Sequence, residues 1–261
     1  MANLIKMDMR RLFRSPFFII AVSIVAVFNI LATVAMTLLS NMFSADQTVS
    51  QEVLSHAVSD PFYLSLLSIL MFVSLISFSY ADFAGGYIKN LAGQLPHKSS
   101  LFFSKFAVIG VHNLIFIAVG SASNVLANLT MSATGMLQIT DDGKLGAAFL
   151  TLILKWLVSM AIAAILLFIT NGVRNKILAT VVGVILGTGA LGLAYFGLNT
   201  AVANIFHTEG FDLNMYMPDS LMNNVNVGAN IAVVNAIVVS LVCIVLFTVL
   251  TVKVFKSRDI K

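Results

Sequence analysis

The sequence is poor in charge, cysteine and proline. Only 10% of its 261 residues are charged, whereas a soluble globular domain has about 25%. Cys243 is its single cysteine, so an internal disulfide is excluded. Four prolines and a mean hydropathy of +0.98 leave long apolar runs uninterrupted. These deficits exclude an ordinary soluble domain and predict an integral membrane protein.

Sequence motifs of catalysis and metal binding are missing as well. No phosphate loop occurs, because Gly143 and Lys144 lack both the upstream glycine and the following Ser or Thr of that motif. The four histidines are scattered without the spacing of a metal site. No apolar run contains a central carboxylate, which disfavours ion-coupled transport. We therefore expect a protein that is not an enzyme and that has no cofactor or metal of its own.

Six apolar runs have the length of membrane spans. Each is close to the roughly 20 residues that a helix needs to cross a hydrocarbon core of about 30 Å. They fall at about residues 17–40, 62–80, 106–129, 147–170, 177–198 and 229–252. The connections between them are too short to bury a core of their own. The sequence thus predicts a single membrane domain over residues 1–261, with six transmembrane helices.

Positive charge is concentrated on one side of this topology. If the N-terminus is cytoplasmic, all of the fifteen Lys and Arg residues except Lys144 and Lys155 fall on the cytoplasmic side. Because Lys and Arg in short loops resist translocation, both termini are predicted to be cytoplasmic. Topology and anionic lipid headgroups explain the net charge of +4 better than nucleic acid does. We expect Lys155 to snorkel to the outer interface beside Trp156.

The first residues have the pattern of an amphipathic helix. Between residues 3 and 15, apolar and basic positions occupy opposite halves of a helical wheel. This pattern predicts an interfacial helix within residues 1–16, which Pro16 ends. The alternative is a basic lead-in that only fixes the orientation of the first span.

The segment 81–105, between the second and third runs, is the most distinctive cytoplasmic piece. Apolar side chains recur every four residues, at Phe83, Tyr87, Leu91 and Leu95. This spacing predicts a short helix with one apolar stripe. Gly85 and Gly86 allow a sharp turn before that helix, and Pro96 favours its end. The helix is a candidate docking element for another protein, and the alternative is a helix that rests on lipid.

Small and polar residues within the runs predict contacts between helices. Gly183 and Gly187 form a GxxxG pair that allows the close approach of another helix, from this chain or from a second copy. His112 and Asn113 are polar at membrane depth, so they are expected to form hydrogen bonds with neighbouring helices. Contact with substrate is the alternative for these two side chains.

Three connections are predicted on the outer side, over residues 41–61, 130–146 and 199–228. Residues 41–61 contain no Lys or Arg and are expected to form an outside loop. Residues 199–228 mix apolar and acidic side chains, which favours a short helix or re-entrant hairpin at the outer leaflet.

Three features together resemble the ABC-2 type permeases of ATP-binding-cassette (ABC) transporters. They are the lead-in LIKMDMRRLFRSP, the six spans, and the segment DFAGGYIKNLAGQLPHKSSLFFSK. In that family, an acidic residue, a glycine turn, a short helix, a proline and basic residues follow the second span. The matching positions are Asp82, Gly85, Gly86, Lys89, Pro96, Lys98 and Lys105. The family more often has Glu at the first position, and a small residue followed by Arg where His97 and Lys98 stand.

The resemblance implies an all-α, type V exporter-like fold with an N-terminal elbow helix and a gate-like segment at 199–228. It also implies a coupling helix that sits in a groove of a separate ATPase subunit. The implied contact residues are Asp82, Gly85, Gly86, Tyr87, Lys89, Leu91, Gln94, Leu95, Pro96 and Lys98.

The resemblance further implies the assembly and the cargo. Two ATPase copies, which bind ATP and Mg, would serve this chain and a second permease copy or a sibling in a bacterial plasma membrane. The usual activity is export of amphipathic or antimicrobial peptides or hydrophobic drugs, or immunity to them. The alternative from another class is a non-transporting scaffold or sensor subunit that recruits a cytoplasmic partner.

Overall fold

The computed structural model describes residues 2–43, 50–64, 66–84, 99–206 and 212–257. Within these ranges the chain forms ten α-helices and two short strands. The helices are α1 (Ala2–Arg14), α2 (Pro16–Phe43), α3 (Leu54–Ser59), α4 (Leu67–Ala84), α5 (Ser99–Ala133), α6 (Leu145–Leu167), α7 (Lys176–Thr188), α8 (Leu191–Phe206), α9 (Pro218–Asn224) and α10 (Val233–Ser257). A π-helical turn, Phe168–Val173, continues α6, and a 3-10 turn, Leu213–Met215, precedes α9.

Four of the described helices are long and apolar enough to cross a membrane, namely α2, α5, α6 with its π turn, and α10. The pair α7 and α8 adds a fifth span if the two bent helices are counted together. Helix α4 corresponds to the predicted second run, but it begins only at Leu67 and is a shorter apolar helix. The described residues therefore contain four or five candidate spans where the sequence predicted six.

The predicted fifth run, 177–198, is not a straight helix. Helix α7 ends where Gly189 adopts φ +65°, a left-handed conformation in which glycine ends helices without steric cost. Helix α8 then leaves at an angle of 70° and continues to Phe206, past the predicted boundary at residue 198. The first part of the predicted outside segment is therefore helical.

The strands β1 (Ser50–Val53) and β2 (Leu137–Thr140) form a two-stranded parallel sheet. Ser50 pairs with Leu137, and Val53 pairs with Thr140. The strands follow α2 and α5, which run in the same direction, so their parallel pairing follows from the helix order. The predicted all-helical fold omitted this sheet, which joins two connections on the side of the bundle opposite α1.

The helices pack mainly as three pairs, α2 with α5, α4 with α7, and α6 with α10. The core lies where α4, α5 and α6 meet. Its fully buried large side chains include Phe72, Leu75, Ile76, Ile109, Phe116, Ile162 and Leu166. Many apolar side chains of α2 and α10 remain exposed, as expected of helices that face lipid.

The helix that approaches the glycine pair of α7 is α4 of the same chain. A Cβ added at Gly187 would lie 3.0 Å from the Cα of Ile69, and one added at Gly183 would lie 2.8 Å from the Cδ1 of Ile76. Ser68 also donates a hydrogen bond to the carbonyl of Gly187, at 2.8 Å. The small residues therefore bring the two helix backbones together.

Helix α1 packs on the beginning of α5. Leu12 is fully buried, and the hydroxyl of Ser104 donates to the Oδ2 of Asp8 at 2.9 Å. Lys6 and Arg10 are exposed on the opposite face. Helix α1 is therefore amphipathic and attached to the bundle, while its role as an interfacial elbow stays a prediction.

Candidate functional site

Residues 54–63, the inserted segment, pack among α2, α5 and α6. The segment consists of α3 and a non-helical stretch that ends it. Asn29, fully buried midway along α2, donates its Nδ2 to the carbonyl of Pro61 at 2.8 Å. Its Oδ1 accepts from the backbone N–H of Tyr63 at 3.1 Å. The prediction of a loop is therefore wrong for residues 54–61, because this stretch contains α3 and side chains of the bundle bond to its backbone groups, while its outer location stays a prediction.

Helix α5 binds the other side of the inserted segment. Asn124 donates its Nδ2 to the carbonyls of Ala57 and Asp60, both at 3.1 Å. Ser121 donates its hydroxyl to the carbonyl of Val58 at 2.7 Å. At Gly120, an added Cβ would lie 2.0 Å from the carbonyl oxygen of Pro61, so only glycine fits there. The inserted segment is held by side-chain hydrogen bonds and one close backbone approach.

Helix α6 contributes a buried cation to the same region. The Nζ of Lys155 donates to the Oδ1 of Asp60 at 2.7 Å. The Lys155 side chain is 5% exposed and that of Asp60 is 59% exposed. The inserted segment therefore supplies a carboxylate that neutralises the buried ammonium group. The location of Lys155 near the outer interface stays a prediction. The sequence alone does not predict this pair, since Asp60 lies in a predicted loop.

Side chains of α3 line two cavities. Ser55, His56 and Ser59 line a polar cleft of about 110 Å³, together with Asp142 and Lys144 from the turn before α6. The Ser55 hydroxyl donates to the Oδ2 of Asp142 at 2.8 Å, which joins α3 to that turn.

The second cavity is an apolar groove of about 710 Å³ between α5 and α6. Val58 of α3 lines it, and most of its other lining side chains are apolar, such as Ile117, Leu126 and Phe149. The hydroxyl of Ser121 also lines the groove, but its hydrogen bond to Val58 engages it.

A second polar network connects α4, α5 and α6. His112 contacts the Oδ1 of Asn113 at 3.0 Å and the hydroxyl of Ser74 at 3.2 Å. Asn113 donates its Nδ2 to the hydroxyl of Ser159 at 3.1 Å. All four side chains are buried. The prediction that His112 and Asn113 form hydrogen bonds between helices is confirmed.

The segment after α8 is tied back to that helix. The hydroxyl of Tyr195 donates to the Oδ1 of Asp219 at 2.9 Å, and Asn199 donates its Nδ2 to the Oδ1 of Asp212 at 2.7 Å. The backbone N–H of Asn214 also donates to the Oδ1 of Asp212. The hydrogen bonds from Asn214 and Asn199 lower the pKa of the Asp212 carboxyl. Of the predicted gate-like segment, residues 199–206 belong to α8, and residues 212–228 are attached to that helix by these hydrogen bonds.

Most of the residues expected to contact an ATPase lie outside the described residues. Asp82 is in the last turn of α4, where only the backbone is described. Gly85, Gly86, Tyr87, Lys89, Leu91, Gln94, Leu95, Pro96 and Lys98 lie outside the described residues. Among the residues that are described, no group of three or more His, Cys, Asp or Glu side chains could hold a metal ion.

A bundle of long apolar helices, with polar side chains buried against one another, defines a helical integral membrane protein. A family model described as ABC-2 family transporter protein matches residues 4–190 of the chain. Because the match covers more than half of the sequence, the chain belongs to the ABC-2 transporter family, whose members are membrane permease components of ABC transporters and generally work with an ABC ATPase. No curated protein matches the chain.

Proposed function

We propose that this chain is the permease subunit of an ABC exporter, and that a separate ATPase subunit, which binds ATP and Mg, drives it. The family match over residues 4–190 is the observation that supports this function most directly. The chain itself is not expected to be an enzyme, because its sequence contains no phosphate loop.

In this proposal the chain crosses a bacterial plasma membrane six times. The four long helices, the shorter α4 and the bent pair α7–α8 would make the six passes. The predominance of Lys and Arg on one side supports a cytoplasmic location for α1 and for both termini. The β1–β2 sheet and the polar cleft would then face the outside.

The proposed ATPase contact is the segment between α4 and α5. Helix α4 ends at Ala84 and α5 begins at Ser99, so the connection leaves and re-enters the bundle on the α1 side. Its apolar stripe, which includes Leu91 and Leu95, suits a helix that docks in a protein groove. Two ATPase copies, and a second permease copy or a sibling, would complete the transporter.

Amphipathic or antimicrobial peptides and hydrophobic drugs are the proposed cargo, with export or immunity as the result. The apolar groove of about 710 Å³ on the membrane helices supports a cargo that partitions into lipid. The polar cleft on the other face of α3 supports one that also has a polar part.

The test is co-purification with the ATPase encoded by a neighbouring reading frame, from cells that express both proteins. Leu91→Asp or Leu95→Asp should release the ATPase, because each places a carboxylate on the apolar stripe of the docking helix. Asn90→Asp is the matched control off the stripe and should retain it. Unchanged thermal unfolding of the permease would show that its spans remain folded.

Failure of the ATPase to co-purify with the unmodified chain would contradict the proposed function. Retention of the ATPase by both leucine variants would place its contact elsewhere. A bound ATPase whose hydrolysis is never accompanied by cargo movement would favour the scaffold or sensor function.

A further inference from the structure

We propose that the inserted segment, residues 54–63, is a gate between the polar cleft and the apolar groove, and that the pair Asp60–Lys155 holds this gate closed. The inference rests on the proposed function, since it assigns the path by which an amphiphilic cargo would leave the membrane. It places a gate in the connection between the first two spans, apart from the segment 199–228.

The two faces of α3 border the two cavities. Ser55 and Ser59 are four residues apart, so they share the face that lines the polar cleft. Val58 lines the apolar groove. Displacement of the short helix α3 would therefore join a membrane-facing groove to a polar cleft.

The occupant that matches this arrangement is an amphiphile. Its apolar part would contact side chains such as Ile117 and Phe149 in the groove. Its polar part would meet His56, Asp142 and Lys144 in the cleft, which offers groups of both charges. A wholly apolar molecule would gain nothing from the cleft.

The inserted segment is attached in a way that permits movement. Ala57 and Val58 are the buried apolar side chains of α3, and both are small. After α3, Phe62 is partly buried against the core. Hydrogen bonds from Asn29, Ser121 and Asn124 to backbone carbonyls complete the described attachment. Water can replace such bonds, and elements with little apolar burial open at the lowest free-energy cost.

The Asp60–Lys155 ion pair adds an interaction that water cannot replace so easily. Lys155 is buried on α6, whereas Asp60 is largely exposed. Asp60 can therefore turn to water when the segment moves, but Lys155 is then left as a buried cation without its carboxylate. Closing the gate restores the pair, which makes the closed position the resting one.

The experiment measures access to Val58 from the outside. In the Cys243→Ser background, Val58→Cys is labelled with a membrane-impermeant maleimide, in sealed vesicles that contain the permease and its ATPase. We expect slow labelling at rest and labelling about tenfold faster during ATP turnover. Asp60→Asn should raise the resting rate by about tenfold or more, since a neutral amide replaces the carboxylate that neutralises the buried ammonium, and Asp60→Glu should keep the rate low.

Two further cysteine positions serve as controls. Lys144→Cys is exposed in the cleft and should react rapidly in every state. Ala163→Cys lies in α6, fully buried, and should react slowly in every state, which excludes general unfolding of the variants.

An unchanged rate at Val58→Cys during turnover would overturn the gate. An unchanged resting rate in the Asp60→Asn variant would overturn the role of the ion pair. Absence of ATP hydrolysis in the vesicles would instead contradict the proposed function, and the resting comparison of Asp60→Asn with Asp60→Glu would still test the closed gate.

Discussion

The Nζ of Lys155 and the Oδ1 of Asp60 lie 2.7 Å apart, although 95 positions separate the two residues in the chain. The pair joins the inserted segment to α6. Because Lys155 is buried and Asp60 is exposed, the two partners do not contribute equally to stability. Removal of the carboxylate leaves a buried cation, whereas removal of the ammonium leaves a carboxylate that water can solvate.

Asp60→Ala is therefore expected to lower the thermal unfolding temperature in detergent more than Lys155→Met does. Breaking a buried pair costs roughly 3–5 kcal/mol when one charge stays buried, and the exposure of Asp60 reduces this cost. Met fills the volume of the lysine stem without a charge. The double variant should resemble Lys155→Met, and equal losses in the two single variants would contradict the asymmetry.

Gly120→Ala is expected to disrupt the attachment of the inserted segment. Its Cβ would lie 2.0 Å from the carbonyl oxygen of Pro61, and a backbone atom cannot move aside as a side-chain terminus can. Overpacking of this kind costs about 1–3 kcal/mol or more. Gly146→Ala in α6 is the control, because nothing lies within 4 Å of its Cβ position, and it should be neutral or stabilise by up to about 1 kcal/mol. Similar unfolding temperatures for the two variants would refute the close approach.

Asn29→Leu should destabilise the protein by about 1–3 kcal/mol for each backbone group that it leaves without a partner. Leucine has a similar volume but cannot bond to the carbonyl of Pro61 or the N–H of Tyr63. Thr37→Val, also buried on α2, is the control, since its hydroxyl bonds only within its own helix, to Thr33. Chemical unfolding of the purified variants gives the comparison, and a Thr37→Val loss as large as that of Asn29→Leu would argue against a specific role.

Gly187→Ala is expected to push α7 away from α4. The added Cβ would lie 3.0 Å from the Cα of Ile69, so the two backbones must separate. We expect a loss of about 1–3 kcal/mol in unfolding free energy. Gly192→Ala, which meets nothing within 4 Å, should lose none. If the Gly187→Ala variant unfolds like the unmodified chain, the contact between the two helices is looser than described.

The apolar runs at 17–40, 106–129, 147–170 and 229–252 predicted α2, α5, α6 and α10, because the hydropathy of a window is a sum over neighbouring residues. The break in the fifth run depends on the conformation of Gly189, and hydropathy does not report backbone angles.

The inserted segment could not be predicted in the same way. Its position depends on hydrogen bonds from the Nδ2 of Asn29 to the carbonyls of Pro61 and Gly120, which lie 32 and 91 residues away in the chain. No local pattern encodes such a contact. The buried Asn29 and Asn124 were nevertheless a usable signal, since amides within apolar runs require polar partners.

The small parallel sheet joins the ends of α2 and α5 on the side of the bundle opposite α1, while the two helices also pack along their length. A displacement of either helix is therefore expected to carry the other with it. Helix α6 packs on α10, and α3 contacts both α5 and α6. Helix α3 therefore lies against one helix of the α2–α5 pair and one of the α6–α10 pair. A change of the angle between α5 and α6 would therefore act directly on α3 and on the polar cleft that it lines.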